Sequence, residues 1–557
     1  MNKFCFVLSA SLLISLVGFA QKKSTEEVPK NWHQLDKDST GYYGISLNKA
    51  YSFIKTKKLK SKQVIVAVID SGIDTLHEDL KPILWTNSKE IPGNDIDDDK
   101  NGYTDDVHGW NFLGGKDGRN VKEDSNEGAR IYNKLKAKYG SLIPDETSID
   151  EAQKAEIALY KKVKEKIAGS INMDEISFIK KLMPNFLKGD SVIRQELTKQ
   201  DYNCTDLEKY TTTNTDAKRT RGFLLQMCKG NGTNDITNTQ IIEEFEGQLR
   251  KADGVNNAPK EYRKLIVQDD ETNINDRNYG NNDIMASTPM HGTHCSGIIA
   301  GIRDNEKGGD GIADNVRIMM LRAVPDGDEH DKDIALAIRY AVDNGAQIVS
   351  MSFGKDFSPE KQWVDDAVKY AENKGVLLVH AAGNDSKNID SSDNFPSVNY
   401  LDGKRASNWI TVGASGDPKN GGITANFSNF GKKDVDVFAP GVQIYATIPG
   451  GNTYGKLSGT SMACPVVAGT AALLLEYFPT LSARQLKYAI EKSATVLDEE
   501  VDIPGTDEKV KLSDLSNTGG LLNAYAAVKL ASTLKGERKP LKKEVLPKPK
   551  LIRKKKR

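Results

Sequence analysis

The fold class is decided by the stretch Gln63-Val64-Ile65-Val66-Ala67-Val68-Ile69-Asp70-Ser71-Gly72. An uninterrupted apolar run with many β-branched residues is typical of a strand that is buried on both faces of a parallel sheet. The polar residue that ends this run, Asp70, then lies at the carboxyl edge of the sheet, where open α/β sheets bind their ligands. The stretch therefore predicts both a central strand and a functional position.

Working outward, similar apolar segments recur along the chain, and helical stretches lie between several of them. The predicted strands are residues 316–321, 347–351, 376–379 and 409–412. A helix is predicted for residues 332–344, with Gly345 as its C-cap. This alternation predicts an α/β fold, namely a doubly wound, mainly parallel sheet that is flanked by helices.

One long segment, residues 115–283, interrupts this alternation because it is charged, rich in lysine and mostly helical in pattern. Ser148 and Glu151 form an S-x-x-E capping box in front of apolar residues at helical spacing. We interpret the segment as a largely helical inserted subdomain. Its role is left open, with a folding aid, a lid and a substrate-docking element as the candidates.

The amino terminus has the pattern of a secretory signal peptide. Lys3 precedes an apolar run over residues 4–19, and Gly18-Phe19-Ala20 offers a cleavage site before Gln21. The apolar run is shorter than the roughly 20 residues of a membrane-spanning helix. We therefore expect a signal peptide at 1–20, an N-terminal extension at 21–62, and a secreted, periplasmic or cell-envelope protein without a transmembrane anchor after signal removal.

The charge balance gives no indication of a nucleic-acid partner, because the 77 basic and 77 acidic residues cancel. The carboxyl terminus is different. Residues 535–557 contain twelve basic residues and two acidic ones, together with three prolines. We expect a basic, disordered tail over 533–557 that either contacts anionic surfaces or only keeps the chain soluble. The sequence does not indicate an oligomeric state.

Three short motifs supply the groups that nucleophilic hydrolysis needs, which are a hydroxyl, an imidazole that takes its proton and a carboxylate that orients the imidazole. In chain order the motifs are Val68-Ile69-Asp70-Ser71-Gly72, His291-Gly292-Thr293-His294-Cys295 and Gly459-Thr460-Ser461-Met462-Ala463. Each motif alone has an ordinary explanation as a turn, a loop or a structural histidine. Together they make Asp70, His291 and Ser461 the candidate catalytic triad.

These motifs and their order resemble those of the subtilase family of serine peptidases. The resemblance covers residues 63–114 and 284–532, which we take as the peptidase domain. It implies an endopeptidase that cuts polypeptides through an acyl-enzyme, with His291 as general base and Ser461 as nucleophile.

The resemblance extends to the residues around the substrate. The segment Val379-His380-Ala381-Ala382-Gly383-Asn384 is similar to the family's oxyanion-hole segment, which implies that Asn384 donates a hydrogen bond to the oxyanion. Ser352, Phe353 and Gly354 resemble the strand that pairs with the substrate backbone. His380 departs from the family, which has a small residue there, so the substrate preference is expected to differ.

An acidic stretch follows the first motif, from Asp95 to Asp106. Alternating side-chain oxygens and a turn glycine are typical of a calcium loop, since Ca²⁺ takes six to eight oxygen ligands. The stretch is not an EF-hand, because the twelfth position counted from Asp97 is His108 instead of glutamate. Many subtilases bind calcium in a similar segment. We predict structural calcium with Asp97, Asp99, Asn101 and Asp105 as ligands, against the alternative of an acidic surface turn.

The four cysteines that follow the predicted signal peptide are too few for a disulfide-built scaffold. Cys204 and Cys228 lie close enough in sequence to pair. Cys295 and Cys464 lie beside His291 and Ser461 and are expected to be buried, either free or as a disulfide. By resemblance to subtilases with a cysteine at the position of Cys295, we expect sensitivity to mercurials.

Two rival functions remain open at the level of the sequence. One is a catalytically weak family member whose insertion is a binding module. The other is an esterase or lipase, which is disfavoured because the sequence around Ser461 lacks the G-x-S-x-G motif and the chain order of the triad differs. A further departure concerns maturation. About forty residues separate the signal from the first strand, too few for the usual propeptide of the family.

Overall fold

The computed structural model describes residues 28–140, 149–169, 172–231, 234, 236–286 and 289–538. The predicted signal peptide, Ser148 of the predicted capping box and residues 539–557 of the predicted basic tail lie outside the described residues.

The described residues contain a central sheet of ten strands with a mainly parallel arrangement. Along the sheet the strands follow the order β11-β14-β8-β6-β5-β4-β1-β3-β2, and β7 pairs with β6. The strands are β1 Val64–Asp70, β2 Gly109–Asn111, β3 Val316–Arg322, β4 Ile348–Met351, β5 Leu377–Ala381, β6 Trp409–Asp417, β7 Asn420–Thr424, β8 Val437–Pro440, β9 Ile444–Ile448, β10 Thr453–Leu457, β11 Thr495–Val496, β12 Glu500–Asp502, β13 Lys509–Lys511 and β14 Gly520–Leu521. The pairs β9–β10 and β12–β13 form two small separate sheets.

Helices cover both faces of the sheet and form the segment between β2 and β3. They are α1 Lys37–Thr40, α2 Leu47–Thr56, α3 Glu127–Tyr139, α4 Glu151–Gly169, α5 Met173–Leu197, α6 Cys204–Lys209, α7 Thr215–Asn231, α8 Asn238–Asn256, α9 Tyr262–Ile266, α10 Met290–Ala300, α11 Asp331–Asp343, α12 Lys361–Lys374, α13 Thr460–Tyr477, α14 Ala483–Lys492 and α15 Ala524–Ala531. The predicted doubly wound α/β fold is confirmed.

Strand β1 holds the central position that its sequence predicts. It pairs in parallel with β3 on one side and with β4 on the other. Six of its seven residues are buried, which explains why the run is apolar without alternation. Asp70, its last residue, is 1% exposed at the carboxyl edge of the sheet.

The core helix of the domain is α13, whose length and apolar composition would also fit a membrane span. It is the one such helix in the part of the chain that the structure describes, and 89% of it is buried inside the protein. It packs against β4, β5, β6 and β8. Burial on all sides explains its apolar sequence.

The described part of the N-terminal extension is built into the main core. Trp32 and Leu47 are fully buried and belong to the same apolar cluster as Val66 of β1. The Trp32 indole donates a hydrogen bond to the carbonyl of Val442, more than four hundred residues away in sequence. Residues 28–62 are therefore a structural part of the domain that carries the sheet.

The described residues of the inserted segment form helices α3 to α9 and contain two apolar clusters. One joins α3 and α4, and its members include Ile131 and Val163. The other joins α5, α7 and α8, and a disulfide between Cys204 and Cys228 lies within it. The flanking parts of the predicted insertion pack on the sheet, since Val121, Val267 and Tyr279 belong to the cluster around β3 and α11.

Candidate active site

Asp70 and His291 form the first half of the candidate triad. The Nδ1 atom of His291, at the start of α10, lies 2.8 Å from Oδ1 of Asp70. The same carboxylate oxygen accepts a hydrogen bond from the backbone N–H of Ser71. The Asp70 side chain is 2% exposed and that of His291 is 37% exposed. A buried carboxylate thus orients an imidazole whose other face reaches solvent.

The close approach of α10 to the end of β1 depends on Gly292. A Cβ atom at this position would lie 2.2 Å from the carbonyl oxygen of Gly72 and 3.1 Å from Cβ of Asp70. Any other residue would force the helix away from the strand. This explains why a glycine follows the histidine, and why the His291 side chain can meet Asp70.

The electrostatic environment of His291 favours its protonated form. Burial by itself lowers the pKa of the imidazole, but the adjacent Asp70 carboxylate and the nearby Cys295 together outweigh burial and raise the pKa well above 6.5. The imidazole is therefore a strong proton acceptor, which is the property that a general base requires.

Ser461 lies in the first turn of α13, on the lining of a cleft. Its hydroxyl donates a hydrogen bond to the carbonyl oxygen of Ser352 at 3.2 Å. The thiol of Cys295 joins the two halves of the triad, since Sγ lies 3.9 Å from Nδ1 of His291 and 3.4 Å from the carbonyl oxygen of Ser461. Among the described residues, the Ser461 hydroxyl makes no hydrogen bond to His291, and the structure brings the two motifs together through Cys295.

Asn384 lines the same cleft in an orientation that suits an oxyanion donor. Its Oδ1 accepts hydrogen bonds from the backbone N–H and the hydroxyl of Thr460, both at 2.9 Å. The side-chain NH₂ group makes no hydrogen bond within the described residues. The backbone N–H of Ser461 is also unpaired there, as expected for the first turn of a helix. Two donors are thus available at the mouth of the cleft.

Residues 352–354 border the cleft as the sequence predicts. Ser352 is buried and its hydroxyl donates to the carbonyl of Ser461 at 2.9 Å. Gly354 is exposed, and neither its N–H nor its carbonyl has a hydrogen-bond partner in the described part of the chain. An exposed glycine with free backbone groups is suited to pair with an extended peptide.

His380 lies beneath this segment and supports it. It is 1% exposed, and its Nε2 donates to the carbonyl of Phe353 at 2.8 Å. Burial lowers its pKa to about 4, so the ring is neutral at neutral pH. The departure from the family's small residue therefore places a neutral donor below residues 352–354, where it fixes the Phe353 carbonyl.

The cleft that contains Ser461 has a volume of about 310 Å³, and part of its wall comes from the insertion. Ser352, Gly383 and Asn384 line one part of it. The insertion contributes lining residues from three helices, namely Gly128 and Ala129 of α3, Lys166 and Ile167 of α4, and Lys251 of α8. No local pattern in the sequence indicates this contribution, because it depends on how the helices pack on the domain.

Comparison with known proteins agrees with this geometry. The family model described as "Subtilase family" matches residues 61–525. The chain belongs to the subtilase family.

Two characterised relatives illustrate the extent of the likeness. A thermophilic serine proteinase of Bacillus sp. (strain AK1) is 40% identical over 239 residues, which cover 43% of this chain and 52% of that protein. Subtilisin DY of Bacillus licheniformis is 39% identical over 210 residues, which cover 37% of this chain and 71% of that protein. The chain thus spans about half the length of the first relative. Among solved structures, prenylagaramide maturation protease aligns with a TM-score of 0.36 at 30% identity, over 43% of this chain and 82% of that one.

In this subtilase the acidic segment contains a carboxylate cluster that differs in part from the predicted ligand set. Asp97 and Asp99 lie together with Glu90, and their ligand atoms are within 4.8 Å of one another. Glu90 is 7% exposed, and its Oε2 has no hydrogen-bond partner among the described residues. Glu90 was not predicted, because it precedes the acidic stretch and belongs to no local motif.

The structure does not bring Asp105 into this cluster. Both oxygens of its carboxylate accept backbone N–H groups, from Gly93 at 2.9 Å and from Asp95 at 2.7 Å. The side chain of Asn101 donates to Asp106 and accepts from the N–H of Tyr103. Asp105 thus holds the loop in shape from within.

The remaining cysteines and the second histidine of the motif have structural roles. Cys295 and Cys464 are buried free thiols. Burial raises the pKa of both, to about 12 for Cys464. His294 is fully buried, its Nε2 contacts the carbonyl of Gly455 at 3.2 Å, and burial lowers its pKa to about 3.

Proposed function

We propose that this subtilase is an exported endopeptidase that hydrolyses peptide bonds of polypeptides through an acyl-enzyme, with Asp70, His291 and Ser461 as its triad. The observation that carries the proposal is the 2.8 Å contact between His291 and the buried Asp70 carboxylate, next to a cleft that contains Ser461. The three motifs are distant in sequence. A purely structural role for His291 would not require the motifs to converge.

The proposed reaction has the following steps. His291 takes the proton of the Ser461 hydroxyl at Nε2, while Nδ1–H stays bound to Asp70. The Ser461 oxygen forms a bond to the substrate carbonyl carbon, and the resulting oxyanion accepts hydrogen bonds from Asn384 and the Ser461 N–H. His291 then gives its proton to the leaving amine, and water hydrolyses the acyl-enzyme by the same route in reverse.

The substrate is proposed to bind as an extended segment beside residues 352–354. Gly354 offers an unpaired N–H and an unpaired carbonyl at the cleft. Main-chain hydrogen bonds of this kind do not depend on the substrate sequence. We therefore propose a general endopeptidase, because these backbone contacts impose no strict requirement on the side chains of the substrate.

Calcium is proposed as a structural ion at Glu90, Asp97 and Asp99. An unpaired, buried carboxylate oxygen is costly unless a cation compensates it, and hard oxygen ligands are those that Ca²⁺ prefers. The ion would neutralise three adjacent carboxylates and would fix the loop that follows the first motif. No catalytic step depends on it.

We further propose export by the N-terminal segment 1–20, to the periplasm, the cell envelope or the medium. The disulfide between Cys204 and Cys228 supports this location, because disulfides persist in oxidising compartments. The basic tail is proposed to contact anionic surfaces. The proposal of export rests on the composition of segment 1–20 and on the disulfide. The proposal for the tail rests on its basic composition.

Hydrolysis of casein by the purified protein tests the proposed function. We expect the wild type to cleave casein and the Ser461→Ala variant to lose at least about 10³-fold in rate. A short-chain ester serves as the comparison substrate. Hydrolysis of the ester alone would support an esterase, and equal activity of the Ser461→Ala variant would refute the triad.

A further inference from the structure

Helices α3 and α4 of the insertion line one side of the catalytic cleft. We refer to Glu127–Tyr139 and Glu151–Gly169 together as the strap. Gly128 and Ala129 line the cleft from the first turn of α3, and Lys166 and Ile167 line it from the end of α4. The strap therefore shares a cavity with Ser461. Its two ends are attached to the peptidase domain in very different ways.

The α3 end is attached by buried charges. Glu127 accepts the ammonium of Lys355 at 2.8 Å, and the Lys355 side chain is 1% exposed. Lys355 also pairs with Asp331 at 2.9 Å, while Arg130 of α3 pairs with Glu127 at 2.7 Å. Breaking a buried pair is strongly unfavourable because it leaves an uncompensated charge. This end of the strap is a fixed attachment.

Apolar packing adds to the fixed attachment. Phe357, which follows the substrate segment, is 6% exposed and belongs to the apolar cluster of the strap with Ile131 and Val163. The fit at the cleft is tight, since a Cβ atom at Gly128 would lie 3.2 Å from the Phe357 ring. The strap thus has a defined position over residues 352–357.

Beside the apolar packing of Val163, the α4 end is attached by charges that are exposed. Lys166 pairs with Asp356 at 2.8 Å, and both side chains are 36% exposed. Lys162 pairs with Asp393, beside Asn394 on another part of the cleft wall, and these side chains are 56% and 36% exposed. Exposed pairs are weak and are screened by salt. These two pairs are therefore the part of the attachment that is suited to release.

We propose that the strap is a specificity element that selects substrates by bulk, admitting a single extended chain while its α4 end stays attached. Cleavage of a segment within a folded protein requires release of the Lys162–Asp393 and Lys166–Asp356 pairs. A free peptide, in contrast, passes beneath the strap while both pairs stay intact. The inference rests on the proposed peptidase activity, because bulk selection needs a cleavage reaction to act upon.

One peptide sequence presented in two forms tests the strap. The first substrate is a short fluorogenic peptide, and the second is the same sequence placed in a surface loop of a folded carrier protein. For the Lys162→Glu variant we expect kcat/KM on the carrier to rise about two- to five-fold, the range of one exposed ion pair. The free peptide should be cleaved at the wild-type rate, because Lys162 does not line the cleft.

Two control variants make the result specific. Lys164→Glu carries the same charge change on an exposed residue of the same helix and should leave the carrier-to-peptide ratio unchanged. The charge swap Lys162→Glu/Asp393→Lys restores the pair and should return the ratio to the wild-type value. A ratio that stays unchanged in Lys162→Glu overturns the proposal.

Salt titration of the wild type provides a second readout that needs no variant. Raising the ionic strength should increase the carrier-to-peptide ratio, and a flat ratio contradicts the proposal. If the Lys162→Glu variant fails to fold, the salt titration of the wild type decides whether the proposal holds. Failure of the proposed function is a distinct outcome, since the wild type would then cleave neither form of the peptide.

Discussion

The side-chain oxygen of Asn384 accepts two hydrogen bonds from Thr460, the residue directly before the candidate nucleophile. The amide therefore cannot turn over without losing both bonds, and its NH₂ group stays directed away from Thr460. The hydroxyl of Thr460 in turn accepts the N–H of Gly383 at 3.1 Å. The candidate oxyanion donor and the candidate nucleophile are thus positioned by one short network.

This network predicts the effect of removing the donor. Asn384→Ala should lower kcat about 10²- to 10³-fold with little change in KM, because the hydrogen bond forms mainly in the transition state. Steady-state kinetics on a peptide anilide measure both constants. A rise in KM at unchanged kcat would contradict the assignment and would make Asn384 a ground-state binding residue.

The pH dependence follows from the raised pKa of His291. Below that pKa the imidazole is protonated and cannot act as a base, so kcat/KM should fall as the pH is lowered through a value above 6.5. Asp70→Asn removes the carboxylate that raises the pKa, while burial still lowers it. The inflection should therefore move to lower pH, and the rate should drop about 10⁴-fold. A profile of kcat/KM against pH for both proteins checks this, and an inflection that does not move would exclude Asp70 as the partner.

Mercurial inhibition is expected at Cys295. Its thiol contacts His291 and the Ser461 carbonyl, so a mercury atom on Sγ would displace the imidazole. Mercuric chloride should inactivate the wild type and the Cys464→Ser variant, whereas Cys295→Ser should stay active. The matched variant Cys464→Ser is informative because both thiols are buried and free. Inactivation of Cys295→Ser at the wild-type rate would refute the prediction.

Calcium should stabilise the protein through Glu90. With free calcium at about 100 times its Kd, the folded state should gain about 2.7 kcal/mol, which thermal unfolding with and without a chelator reports. Glu90→Gln should abolish the calcium-dependent shift of Tm. Asp105→Asn should lower Tm with and without calcium alike, because Asp105 binds backbone N–H groups of the loop. A calcium response that persists in Glu90→Gln would place the ion elsewhere.

The strands and the candidate triad residues were indicated by the sequence because their patterns are local. The apolar run of β1 indicates a buried parallel strand, and the motifs around Asp70, His291 and Ser461 each carry one group of the reaction. The α/β architecture then follows from the alternation of strands and helices. Among the residues that line the cleft, the motifs indicated Ser352, Asn384 and Ser461.

The contributions of the insertion and of Glu90 were not predictable from local pattern. Lys166 and Lys251 line the cleft only because α4 and α8 pack on the domain, and their sequences resemble those of ordinary exposed helices. Glu90 joins Asp97 and Asp99 through the path of an irregular loop. Such relationships depend on tertiary packing, for which periodicity and spacing carry no information.

The central claim is that Ser461 is a nucleophile activated by His291 and Asp70, and peptide mapping after labelling with a fluorophosphonate tests it most directly. Mass spectrometry of the labelled, digested protein should find one adduct, on the peptide that contains Ser461. Labelling should be lost in Ser461→Ala and strongly slowed in His291→Ala. An adduct on another residue, or labelling of Ser461→Ala at the wild-type rate, would contradict the account.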